Sequence, residues 1–321
     1  MTSPVRAARW LLAPFWVGIG ILLVVVVARF VAWDDRYSLS LLNSETVWIF
    51  LPAYFVAVAA WCFRRWLLAA LATVAVVFHV AMLATTVGST EPVTDAARAA
   101  PRLRVVTANV RFDNFDRDAL AHELLAADAD VVLLQEITPG WVRALSAAGF
   151  NAEYPYSVNY PNGAGGQAVY SRLPLLDVQR AMREFWPTYS ARIEVGGRAV
   201  SLVDVHAIGP PQGMDKHRDT VDSILDVTRS MPEPRVVAGD FNATPYNETM
   251  HRFEALGLDS AFERRGRGLD VTWPNGERLF PPPIQVDHVL VDDGIVVLDV
   301  DTLRGTGSDH QPIVVDLAIV K

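Results

Sequence analysis

The chain has 321 residues and a formal net charge of −8, and 51% of its residues are hydrophobic, a mean hydropathy of +0.22 that is high for a soluble protein. The acidic balance argues against a broad nucleic-acid surface, because nonspecific binding rests on Lys and Arg neutralising phosphates. The single cysteine, Cys62, leaves no disulfide framework and no zinc–cysteine chemistry.

The apolar excess lies almost wholly in residues 1–88. A run from Leu11 to about Val31 carries one late charge, Arg29, and the runs Thr46 to Phe63 and Trp66 to Val87 carry none. A bilayer core takes about 20 apolar residues per helix, so this part reads as a membrane domain with three transmembrane helices at about 11–31, 46–63 and 66–87. The first run is too long for a cleaved signal peptide. His79, inside the third run, could suggest proton transfer, but polar residues there more often bridge helices. Arg6, Arg9, Arg64 and Arg65 mark cytoplasmic ends, whereas Asp34, Asp35, Arg36 and Glu45 suit the outside. Three crossings then place everything after Gly88 outside the cell membrane, with Arg98 and Arg102 counting against that side.

Residues 89–101 read as a linker without a regular element, and the segment from Gly88 to Pro101 reaches at most about 45 Å, which would hold the next domain near the bilayer. Residues 102–321 are enough for one large core. Strands are predicted at Leu103–Ala108, Val131–Leu134, Gln167–Ser171, Arg192–Val195, Ala199–Val205, Arg235–Ala238, Val286–Val291 and Ile313–Leu317. Helical patterns fall at Asp116–Ala127, at Thr138–Ala148 with its Thr-Pro entry, and at Met214–Arg229. This mixture predicts a layered α/β domain.

Polar residues stand where the apolar runs stop. Glu136 follows Val131-Val132-Leu133-Leu134, at a strand end where α/β sheets place ligand sites, and suits a hard divalent ion or the cap of the next helix. Asn109 ends the first strand, either as a turn residue or as an amide that holds a metal-bound water or orients Glu136. Val236-Val237-Ala238 delivers Gly239-Asp240-Phe241-Asn242, in which Asp240 and Asn242 alternate onto one side and Phe241 points into the core. His206 ends a strand, and a lone histidine there is more often structural. Asp309 and His310 share a loop, and Asp287 is in position to fix the tautomer of an imidazole.

In this order and at these separations, Asn109, Glu136, His206, Gly239-Asp240-Phe241-Asn242, Asp287 and Ser308-Asp309-His310 resemble the set carried by the endonuclease/exonuclease/phosphatase superfamily of metal-dependent phosphoesterases, over about residues 102–319. The resemblance implies a four-layer α/β sandwich of the DNase I type. It implies that Glu136, with Asn109 and Asp309, holds Mg2+ or Mn2+ and that Asp240 and Asn242 activate or orient the attacking water. His310, held by Asp287, would stabilise the transition state or protonate the leaving group, and His206 would contact phosphate; either Asp240 or His310 is the formal base. Many relatives carry Arg where this chain has Gln285.

Three spans followed by such a domain, with Thr272-Trp273-Pro274 and Asp287-His288-Val289-Leu290, resemble actinobacterial membrane proteins linked to teicoplanin resistance (VanJ-like). That resemblance implies an extracytoplasmic phosphatase of a lipid-linked phosphate such as undecaprenyl pyrophosphate. The segments Arg183–Tyr189 and Leu279–Pro283 offer an interfacial rim or ordinary loop packing. A tethered nuclease is the enzymatic rival, and a non-catalytic phosphate-binding sensor the rival of another class.

Overall fold

Strand Val131–Gln135 is buried at every position, so both of its faces need a cover. In the computed structural model, which describes residues 4–87, 90–182, 186–276 and 280–321, the chain falls into two units: Met1–Thr86 with Tyr246–Glu248, and Val87–Pro245 with Thr249–Lys321. The side chains of Arg6 and Arg9, the residues Arg183, Glu184 and Phe185, and Leu279, on which parts of the orientation and rim expectations rest, lie outside the described residues.

The larger unit contains β1 (Arg102–Asn109), β2 (Val131–Gln135), β3 (Tyr156–Tyr160), β4 (Gln167–Ser171), β5 (Leu176–Met182), β6 (Pro187–Val195), β7 (Arg198–His206), β8 (Arg235–Asp240), β9 (Asp259–Ser260), β10 (Asp287–Val291), β11 (Ile295–Thr302) and β12 (Ile313–Ile319). They form two six-stranded sheets, ordered β11-β12-β1-β2-β4-β3 and β5-β6-β7-β8-β10-β9. The pairs β1–β2 and β7–β8 are parallel and the other pairs antiparallel.

Alternation decides what each face meets. Leu103, Val105, Val131 and Leu133 of one sheet pack with Val200, Leu202, Val236 and Val289 of the other. The intervening Val106, Ala108, Val132 and Leu134 pack under Leu120 and Leu124 of helix Arg117–Ala126 and Trp141 and Leu145 of helix Pro139–Ala148. Val203, Val205 and Val237 pack under Val221, Ile224 and Leu225 of helix Met214–Ser230. The result is helix, sheet, sheet, helix, with each fully buried aliphatic side chain contributing about 1.5–3 kcal/mol. The Thr138 hydroxyl accepts from Trp141 N (3.2 Å) and caps its helix.

The sequence pattern missed β3, β5, β9 and β11, which are the four edge strands. It also started β6 five residues late, because Thr188 and Ser190 are polar although buried. The predicted featureless linker contains a short helix, Asp95–Ala99, whose cap Thr94 accepts from Ala97 N (3.2 Å).

In the smaller unit, two helical stretches are long and apolar enough to cross a membrane, Leu12–Val31 and Trp66–Val87. The expectation of three continuous spans is corrected at 46–63. That stretch is a four-residue helix, Thr46–Ile49, then Phe50, then a 12-residue helix, Leu51–Cys62, with Pro52 in its first turn. The last helix rises only about 18 Å at 1.5 Å per residue, short of a core of about 30 Å. Tyr37–Ser44 and Thr46–Cys62 are bent by 70° and make a third crossing only if counted together. Ala53, Ala60, Ala69, Ala72 and Ala75 are buried where helices meet, and Val24, Phe30, Phe55 and Leu67 are exposed. His79 Nδ1 meets Tyr54 OH at 3.1 Å, a bridge between helices. Asp34 accepts from Asn43 Nδ2 (2.6 Å), Asn247 Nδ2 (3.0 Å) and Glu248 N (2.7 Å).

Two predictions concern stability. Gly239 has φ +146°, and a Cβ there would lie 1.9 Å from Val205 O, whereas at Gly197 (φ +80°) a Cβ meets nothing within 4 Å. Thermal unfolding should therefore show Gly239→Ala as severely destabilised and Gly197→Ala as losing only about 1–2 kcal/mol, the cost of a left-handed alanine. Burial, with Glu254 and Asp259 nearby, pushes the Glu263 carboxyl from 4.5 up to about 8. A raised acid in the folded state means that stability falls as pH climbs through that window, because the unfolded chain gives up the proton first. Glu263→Gln should accordingly raise the melting temperature at pH 9 more than at pH 5; an equal shift at both would remove the ionisation.

Candidate active site at the strand ends

The face that buries Leu103 and Val105 on β1 continues, two residues per step, to Thr107 and Asn109. By the same alternation β7 brings His206, β8 brings Asp240 and β10 brings Asp287 to one end of the space between the sheets, where His206 and Asp287 both stand opposite Asp240 in the ladder. Glu136 does not follow the alternation, since Gln135 already occupies the inner face. It takes φ +63° instead, and Asn242 takes φ +49°, conformations uncommon outside glycine. Both side chains thereby join residues that arrive on regular strands.

Asn109 ties the cluster together: its Nδ2 donates to Glu136 Oε1 (3.2 Å) and Asp240 Oδ2 (3.0 Å), and its Oδ1 accepts from Arg111 N (3.0 Å). Phe112 N donates to Glu136 Oε2 (2.9 Å). Asp240 accepts from Asn242 N (2.8 Å) and from Asn242 Nδ2 (3.2 Å), whose amide also donates to Ala207 O (2.9 Å). His310 donates from Nδ1 to Asp287 Oδ2 (2.9 Å), which leaves Nε2 at 3.9 Å from Asp240 Oδ2. His206 Nε2 lies 3.7 Å from the same oxygen. Asp309 stands beside Glu136 and His310, where its Oδ2 accepts from Trp273 Nε1 (3.4 Å) and its Oδ1 lies 3.9 Å from Arg111 Nε. Phe241 is fully buried, as its alternation with Asp240 and Asn242 requires.

Several contributors carry no strand-end signal in the sequence. Asn275 Nδ2 donates to the carbonyls of Arg304, Gly305 and Ser308 and so holds the loop that presents Asp309 and His310. Thr272 Oγ1 accepts from the backbone of Val286 and Asp287 (3.0 and 3.1 Å), giving the Thr-Trp-Pro segment a place in the site. The Trp186 ring lies on His206 with centroids 4.3 Å apart, and Gly165 makes room for it: a Cβ there would be 2.5 Å from the indole. Gln285, buried two residues before Asp287, pairs neither amide atom with another described residue.

The electrostatics are uneven. Burial raises the Glu136 carboxyl, and burial with the neighbouring Asp287 raises Asp240 to about 7 despite His310. Burial works against the charge of His310, but Asp287 and Asp240 prevail and raise it to about 10. His206, buried and facing the His310 charge, is lowered to about 3 and is neutral. Single ligand atoms of Asp240, Asp287 and His310 all lie within 4.8 Å of one another. Raised, buried carboxylates are what a divalent cation would reverse, and their oxygen donors suit a hard ion. The site therefore combines a cation-seeking acidic cluster, a charged imidazole and a neutral one.

A family model described as Endonuclease/Exonuclease/phosphatase family matches residues 106–310. Among curated proteins, a UPF0294 protein of Vibrio vulnificus (strain CMCP6) is 24% identical over 204 residues, covering 61% of this chain and 69% of the relative. A UPF0294 protein of Yersinia pestis is 27% identical over 207 residues, 60% of this chain and 74% of the relative. Among solved structures, D. rerio TDP2 complexed with a single-strand DNA product superposes with a TM-score of 0.58 at 18% identity, over 67% of this chain and 98% of that one. The endonuclease/exonuclease/phosphatase from Beutenbergia cavernae does so with 0.53 at 19%, over 68% and 72%. Likeness at such identity speaks for the fold, and the family match runs from Val106, within β1, to His310. The chain belongs to the endonuclease/exonuclease/phosphatase family and is a metal-dependent hydrolase of phosphoester bonds.

Proposed function

We propose that this hydrolase is anchored in the cell membrane, acts outside the cytoplasm and cleaves a lipid-linked phosphate or pyrophosphate such as undecaprenyl pyrophosphate, in cell-wall metabolism or glycopeptide resistance. The observation that carries the reaction is the buried line from Asp287 through His310 to Asp240, beside Glu136 and Asn109. The lipid substrate is supported by the apolar helices Leu12–Val31 and Trp66–Val87 and by the net charge of −8. Counting the bent pair as one crossing gives three, and Arg64 and Arg65 then face the cytoplasm.

Glu136, Asn109 and Asp309 are assigned to Mg2+ or Mn2+, whose charge offsets that developing on the phosphoryl oxygens. Asn109 serves as a ligand once its amide turns, since Nδ2 rather than Oδ1 faces Glu136 in this structure. Asp240 takes a proton from the attacking water while the Asn242 amide orients it. His310, charged and fixed at Nδ1 by Asp287, protonates the leaving oxygen or stabilises the transition state through Nε2. Neutral His206 contacts the phosphoryl group without adding charge.

The full-length protein in detergent, given Mg2+ or Mn2+, should release phosphate from undecaprenyl pyrophosphate, lose that activity in EDTA and leave plasmid and single-stranded DNA intact. Degraded DNA with untouched lipid would establish the nuclease, and phosphate-ligand binding without turnover of either would establish the sensor. In the same assay Glu136→Ala should abolish metal-dependent turnover while the protein stays folded. Asp240→Asn and His310→Ala should each cost about 10²- to 10⁴-fold, the usual contribution of a general acid or base. Near-normal rates would remove those residues from the mechanism.

A further inference from the structure

One step below the site the apolar layers between the sheets give way to a polar one. Thr107, Gln135, Gln167 and Asp204 are all at most 1% exposed, and each sits on the face that carries Val105, Leu133, Val169 and Leu202 one step further in. Gln135 Nε2 donates across the sheets to Asp204 Oδ1 (2.6 Å) and sideways to Thr107 Oγ1 (3.3 Å). Gln167, with its amide turned so that both ends pair, accepts from His206 N at 3.3 Å and donates to Pro187 O at 2.5 Å. No cation faces Asp204 among the described residues, and burial drives its carboxyl well above the ordinary range. A buried carboxyl so placed is costly unless it is neutral and hydrogen-bonded, and a purely structural core has no need of one.

Three members of this layer lie within two positions of a site residue, and Gln167 instead accepts from the backbone of one, His206. Thr107 precedes Asn109, Gln135 precedes Glu136, and Asp204 precedes His206. Site residues come from both sheets, Asn109 and Glu136 from one and His206, Asp240 and Asp287 from the other, so catalysis depends on the distance between sheets. We propose that Asp204 is a positioning residue: its carboxyl group clamps Gln135, and through it Glu136, at a fixed distance from the strand that carries His206. The inference rests on the assignment of Glu136 to the metal.

The test is Mn2+ binding by calorimetry, alongside turnover and thermal unfolding of the full-length protein in detergent. Asp204→Asn keeps an oxygen acceptor for the Gln135 amide and should bind Mn2+ and turn over within about threefold of the parent. The double variant Asp204→Leu with Gln135→Met removes both polar partners together, which leaves stability nearly unchanged. It should nevertheless weaken Mn2+ by about 10- to 100-fold, the usual loss when a partner supporting a metal ligand is removed, and lower turnover about 10²-fold. A double variant with the parent's Mn2+ affinity and turnover would overturn the proposal, as would an Asp204→Asn variant as impaired as the double. Glu136→Ala in the same titration separates the two readings. If it loses Mn2+ while the double variant keeps it, the clamp alone falls; if it binds Mn2+ normally, the metal assignment and the clamp both fall.

Discussion

The constraint on which the site depends is the two-residue period of strands packed face to face. A side chain on the inner face of β1, β2, β7, β8 or β10 has no choice of direction, so the pattern that buries Val105, Leu133, Leu202, Val236 and Val289 also fixes where Asn109, His206, Asp240 and Asp287 emerge. Rigidity at the site is inherited from the core. A loop-borne constellation would have to spend conformational entropy of about 1–2 kcal/mol per residue to reach the same order.

Asp309 and His310 ride a loop held by Asn275, and two further residues leave that regular frame. Glu136 and Asn242 have positive φ, and such conformations cost on the order of 1–3 kcal/mol. Glu136 lies one position beyond the end of β2 and Asn242 two beyond the end of β8, where the ladder no longer dictates direction. Glu136 is then held by Asn109 Nδ2 and Phe112 N, and Asn242 by its bonds to Asp240 and Ala207. Strain and hydrogen bonds meet at the same two residues, and at Glu136 they turn inward a side chain that alternation alone would not supply.

What was legible in the sequence follows from the same physics. Central strands are covered on both faces and read as apolar runs, so β1, β2, β4, β7, β8, β10 and β12 were found; the edge strands β3, β5, β9 and β11 need cover on fewer sides and carry mixed residues, as the half-exposed pattern of β3 shows. Site residues were legible where a polar group ends an apolar run, at Asn109, Glu136, His206 and Asp240. Gln135 and Asp204 were not, because a polar residue inside a strand pattern looks like an outward-facing one until the opposite sheet is in place. Asn275 acts through backbone carbonyls of a loop and leaves no periodic trace. The break near Phe50 was hidden for the opposite reason, since 46–63 is uniformly apolar and only Pro52 hints at a change of direction.

The two imidazoles show how surroundings divide the chemistry. His310 lies between Asp287 and Asp240 and is held charged, whereas His206, covered by Trp186 and facing the charge of His310, is held neutral. Two imidazoles in one pocket are thus held in opposite protonation states by what surrounds each. The carboxylates complete the logic. Glu136 and Asp240 are raised by burial in a pocket whose own cation, His310, is already engaged with Asp287. A divalent ion held beside Glu136 would favour the ionised form of both carboxyls.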